Sequence, residues 1–196
     1  MAEKTRRLAP ATLLIVLAVA SFAAAAVTIT NITEWHVYAK TPPIVKVDGS
    51  LYGYNYGKYV NVTTNNGGDG TNRTVISVLG FTGDPVKYDN VLYICNKDYQ
   101  SYSYNVYLVY QGLLHSTDWA YVQYVKLYFG GYTLTIDSSV TPPSQVGPMT
   151  ISPGSCEPVS VEVLVKPEAY DDGVADGQTR LIAIQVDVVS QGPVTP

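Results

Sequence analysis

Strict period-two alternation is the feature that most narrows what this chain can become. Val159, Val161, Val163 and Val165 alternate with Ser160, Glu162, Leu164 and Lys166. Ile182, Ile184, Val186 and Val188 alternate with Ala183, Gln185 and Asp187. Successive side chains of a strand point to opposite faces, so such runs are strands with one buried face. The same reading expects strands over residues 44–47, 59–63, 74–79, 91–95, 102–110, 122–129 and 132–136. Turn chemistry separates them at Asp48-Gly49, Asn65-Asn66-Gly67-Gly68, Gly83-Asp84-Pro85, Gly130-Gly131 and Pro142-Pro143. About ten short strands punctuated by Gly and Pro predict an all-β fold, a jelly-roll-like β-sandwich.

Residues 126–129 and 132–135 flank Gly130-Gly131. Both glycines accept the positive φ of a primed turn, so a tight hairpin is expected there. Residues 141–148 are Pro-rich and read as a crossover between sheets, and 192–196 as a frayed end.

The N-terminus carries a different message. Lys4, Arg6 and Arg7 precede an apolar stretch over 11–20, and four alanines follow at 23–26. This order reads as a secretory signal peptide over residues 1–26, leaving a single β-sandwich domain over 27–196. In the alternative the apolar helix is retained, as in archaeal type IV pilins, with a cut near Leu8-Ala9-Pro10. The stretch is short for a span of about twenty residues unless it extends through Ala26. The Arg6-Arg7 pair hints at twin-arginine export but lacks the flanking pattern.

In an exported chain the two cysteines, Cys95 and Cys156, are expected to form a disulfide, the alternative being two buried thiols. Asn31, Asn61 and Asn72 each open an Asn-x-Thr sequon, an acceptor of N-linked glycan where it faces solvent. Seventeen tyrosines against three phenylalanines suit strands with one wet face, and suit subunit interfaces equally. Charged residues make up 14% and the net charge is −4, so nothing draws nucleic acid or an anionic membrane.

No catalytic constellation emerges. His36 and His115 stand in no zinc spacing, and there is no nucleophile elbow. The glycines between Asn65 and Gly70 open no phosphate loop. Paired carboxylates for glycoside hydrolysis cannot be picked out by position. The chain therefore reads as non-enzymatic and free of cofactors. Asp171, Asp172 and Asp176, with Gly173 and Gly177, offer oxygen ligands at short spacing as a calcium loop does. They lack the EF-hand spacing, and a solvated turn is the competing reading.

The segment Val27, Thr28, Ile29, Thr30, Asn31, Ile32 would begin the mature protein. Val27 and Ile29 share one face, with Thr28 and Thr30 on the other. Such a strand either pairs within its own subunit or fills a gap in a neighbour's sheet. The second arrangement is head-to-tail and runs on as a filament. Alternation places Asn31 on the Val27/Ile29 face, so a glycan there and burial of that face exclude one another.

Four features now stand together: the leader ending in alanines at 23–26, the β-rich start at 27–33, Thr41-Pro-Pro-Ile-Val-Lys-Val-Asp-Gly49, and the closing strand at 181–189. In these the chain resembles the archaeal bundling pilins, which are related to the bacterial biofilm fibre protein TasA and to camelysin. The resemblance implies a jelly-roll subunit that polymerises with copies of itself by N-terminal donor-strand insertion. It also implies extracellular fibres that bundle in a biofilm matrix. On it, residues 27–33 inherit the donor role. Camelysin's protease label does not carry over, because no zinc-protease motif is present. Two other functions compete: a secreted carbohydrate-binding or adhesion domain with exposed tyrosines and Trp119 as stacking platforms, and a secreted enzyme without a legible motif.

Overall fold

The computed structural model describes residues 42–52, 57–66, 72–98, 102–115 and 117–194. Among them are ten strands: β1 (Ile44–Asp48), β2 (Val60–Asn66), β3 (Asn72–Val78), β4 (Val86–Asn96), β5 (Ser103–Leu113), β6 (Val122–Phe129), β7 (Tyr132–Ile136), β8 (Ser144–Ile151), β9 (Cys156–Val165) and β10 (Ile184–Val194). A four-residue helix, α1 (Glu168–Asp171), and two 3-10 turns complete the described elements. The protein is all-β, as its alternation predicts. β6 and β7 begin and end at the expected residues.

All strand pairs are antiparallel. β1-β4-β9-β6-β7 form a five-stranded sheet, β10-β5-β8 a three-stranded sheet, and β2-β3 a hairpin of their own. The two larger sheets share one core. Val159, Val161, Val163 and Val165 of β9, Val125 and Phe129 of β6 and Ile94 of β4 pack in one cluster with Val106, Leu108 and Tyr110 of β5 and Ile151 of β8. Each fully buried Val or Leu contributes roughly 1.5–3 kcal/mol, so this row is the main stabilising term. β9 lies at the centre of the larger sheet, where its valine face meets the core and its Ser160/Glu162/Leu164 face points away.

Two details show how sequence serves register. Gly130 and Gly131 take φ of 56° and 84° in the hairpin between β6 and β7, the positive values a primed turn requires. β4 carries a bulge between Tyr88 and Leu92, where Asn90 adopts φ 55°. Asn tolerates that left-handed conformation better than other non-glycine residues. The Asn90 N–H donates to Ser160 Oγ at 3.1 Å, and Gly49 packs so closely beneath that a Cβ there would strike the Asn90 carbonyl.

Three expectations are corrected. Most of the Pro-rich stretch 141–148 is strand, because β8 spans Ser144–Ile151. It is an edge strand, where a proline can sit without removing a ladder hydrogen bond, and the register shifts between Val106 and Leu108 opposite Gly147 and Pro148. The tail is ordered further than expected, since β10 continues through Gly192 and Pro193 to Val194, again on an edge. The closing strand expected over 181–189 starts at Ile184, because the Ala183 N–H donates to the side chain of Thr117, at 3.0 Å from Oγ1, rather than to a strand partner.

Candidate functional site

Every sheet edge is a row of backbone donors and acceptors available for another strand. β1 and β7 are edges of five residues each. β8 is interrupted by Gly147 and Pro148. β10 is the long edge: eleven residues, hydrogen-bonded among the described residues to β5 alone. Its inward row, Ile184, Val186 and Val188, packs against the core yet stays half-buried. Its neighbours on β5, Leu108 and Tyr110, are each only 2% exposed. Half-exposed apolar surface thus lies beside a backbone edge that has no strand partner among the described residues. Across the sandwich stands β1. Its Lys46 is paired in register with the core residue Ile94. Burial lowers the pKa of the Lys46 ammonium, and Asp187 of β10 acts in the opposite sense.

The outer face of the five-stranded sheet holds a polar cluster built by register. Glu162 of β9 stands between Lys87 of β4 and Lys126 of β6. Its carboxylate accepts hydrogen bonds from Tyr128 Oη at 2.7 Å, Tyr124 Oη at 2.8 Å and Lys126 Nζ at 3.0 Å. The Lys126 ammonium also lies 4.2 Å from the Tyr124 ring centroid, and that of Lys87 4.9 Å from Tyr128. Three donors, Tyr128 first, hold the Glu162 carboxyl down to about 2. These tyrosines are neither core filler nor free platforms, because their hydroxyls are committed to one carboxylate. Sequence showed Glu162 only as a polar member of an alternating run; its partners lie 34–38 residues away.

The pH consequence has a definite sign. A depressed carboxyl pKa gives stability present above the ordinary value near 4.5 and lost as pH falls toward 2. Wild-type protein should therefore lose on the order of 2 kcal/mol from this site across that window. Glu162→Gln should lower stability at neutral pH and flatten the acid limb. Urea unfolding at pH 7, 4 and 2 measures both, and parallel pH profiles for the two proteins would contradict the assignment.

The other predicted positions are placed as follows. Cys95 and Cys156 form a disulfide between directly opposed residues of β4 and β9. Asn61 is exposed on β2 opposite Ser77, and Asn72 lies in β3 opposite Asn66. Residues 27–33, including Val27, Thr28, Ile29, Thr30, Asn31 and Ile32, lie outside the described residues, as does His36. His115 is exposed in the turn after β5. Trp119 is half-buried against the core, and its carbonyl accepts from Lys166 Nζ at 2.8 Å.

In the acidic loop each carboxylate has its own setting. Asp171 ends α1, and Asp172 accepts from Tyr121 Oη at 3.0 Å. Asp176 accepts from the N–H groups of Gln178 and Thr179 at 2.8 and 2.6 Å. Among the described residues no three His, Cys, Asp or Glu side chains converge as metal ligands. No described helix is long and apolar enough to cross a membrane. Comparison with known protein families and with curated proteins finds no match to this chain.

Proposed function

We propose that this protein is the structural subunit of an extracellular filament, a bundling pilus or biofilm fibre, in which each copy's residues 27–33 complete the sheet of the next. The single observation that carries the reading is the β10 edge, open among the described residues, with its half-covered Ile184/Val186/Val188 row. A β-branched strand adding beside β10 would satisfy the edge amides and carbonyls and cover that row at once. The leader, the β-branched start at 27–33 and the likeness to bundling pilins support the same conclusion, and two antiparallel sheets over one core are compatible with the jelly-roll subunit that the likeness implies. The disulfide toughens each subunit, and an N-linked glycan on Asn61 would stand on solvent-facing hairpin surface. No catalysis is assigned to it.

Negative-stain microscopy of native material is the direct test. Filaments of uniform width are expected, with a mature N-terminus at Ala26 or Val27 by mass spectrometry. Discrete particles at all concentrations, or a mature chain that keeps residues 11–20, would sink the reading.

A further inference from the structure

We infer that the outer face of the three-stranded sheet is a binding surface for a neutral, hydroxyl-rich polysaccharide. Register sets the residues in rows across the strands. Gln191, Asn105 and Thr150 form one row, Val189 and Tyr107 the next, and Asp187, Val109 and Gln145 a third. These positions alternate with the core residues Val106, Leu108 and Tyr110, so they face away from the core. Gln145, Thr150, Val189 and Gln191 are exposed, Asn105, Tyr107 and Asp187 are half-buried, and Val109 is buried beneath its neighbours in the row. The Tyr107 side chain lies against Gly147, where a Cβ would come within 3.1 Å of ring atom Cδ1.

Charge separates the two outer faces of the sandwich. The five-stranded side carries Lys87, Asp89, Lys126 and Glu162, with its tyrosine hydroxyls occupied. The rows on the three-stranded side hold one charge, Asp187, whose Oδ1 accepts from Gln185 Nε2 at 3.0 Å. Among the described residues these rows hold no Lys or Arg, and Lys46 of β1, on which Asp187 acts, is itself half-buried, so little cationic charge is offered to an anionic polymer or nucleic acid. Asn105 Oδ1 accepts from Thr150 Oγ1 at 2.7 Å, while the exposed primary amides of Gln145 and Gln191 each present a donor and an acceptor side by side, which matches neighbouring sugar hydroxyls. An aromatic ring and a valine among them supply the apolar contact that the C–H faces of a sugar need. Strand addition at β10 would proceed in the plane of the sheet, while these side chains stand perpendicular to it. The face therefore stays open in a filament, and its repetition along the fibre multiplies a weak contact.

The test is native affinity electrophoresis of the full chain in gels containing hydroxyethylcellulose, dextran or galactomannan, with polygalacturonate as the anionic comparison. Retardation by at least one neutral polymer is expected. Tyr107→Ala should weaken it about tenfold, as removal of a central aromatic anchor does. The exposed pair Gln145→Ala with Gln191→Ala should weaken it severalfold, and Thr133→Ala on the opposite sheet should not. If Tyr107→Ala fails to fold by circular dichroism, the amide pair carries the test alone. The inference is overturned if no neutral polymer retards the protein, if polygalacturonate retards it as strongly, or if the face variants bind as wild type does. It is also overturned if those variants change only self-association in sedimentation velocity, which would assign the face to a second copy.

Discussion

Deletion of residues 27–33 is expected to leave a folded subunit that no longer forms filaments. The proposed strand would bring roughly seven backbone hydrogen bonds at about 1 kcal/mol net each. Two or three Val and Ile side chains would add about 1.5–3 kcal/mol apiece. Against these stands an association cost of at least several kcal/mol. Losing the whole set should raise the concentration needed for growth by at least about a thousandfold. Side-chain parity sharpens the prediction: Ile29→Asp should act like the deletion, whereas Thr28→Asp, on the other face, should be mild. A synthetic peptide of residues 27–33 in excess should cap growing wild-type ends. Light scattering and microscopy read all three, and the donor role fails if the deleted protein assembles into the same fibres.

The second large effect concerns stability. Cys95 and Cys156 are 61 residues apart and close that loop across two central strands of the larger sheet. On the chain-entropy account, opening a loop of this size costs about 4 kcal/mol. The Cys95→Ala, Cys156→Ala double variant should therefore unfold at a denaturant midpoint lower by that equivalent and melt roughly 10 °C earlier. Cys95 is fully buried, so part of the loss would come from packing. A change under about 1 kcal/mol would show that the unfolded chain does not feel the constraint.

The two predictions rest on features of different legibility. The disulfide was readable because a chain whose leader reads as a secretory signal, with two cysteines, has one pairing available. The alternation at 27–33 suggests a strand but names no partner for it, since an edge on β10 that is open among the described residues exists only once β5 has taken the other side. The Glu162 cluster shows the same divide. Its alternation with Val161 and Val163 placed it on an outer face, yet nothing local to β9 announces Tyr124, Lys126 and Tyr128 arriving from β6. Prolines misled at 141–148 for a related reason. Pro148 excludes a central strand and permits an edge one, and only assembly decides which strands become edges.

What the sequence determined by itself was local: that the chain makes strands, which side chains share a face, and where Gly130-Gly131 turns the chain back. Those properties follow from the two-residue repeat of extended backbone and from allowed φ values, and they need no partner. The tertiary structure decided the pairings: β4 and β10 at opposite layers, carboxylate beneath tyrosines, lysine–carboxylate pairs on one outer face, and amides with the single charge of Asp187 on the other. Pairing joins residues tens of positions apart, and its energy depends on which neighbours survive competition for the same edge, a contest that no single segment encodes.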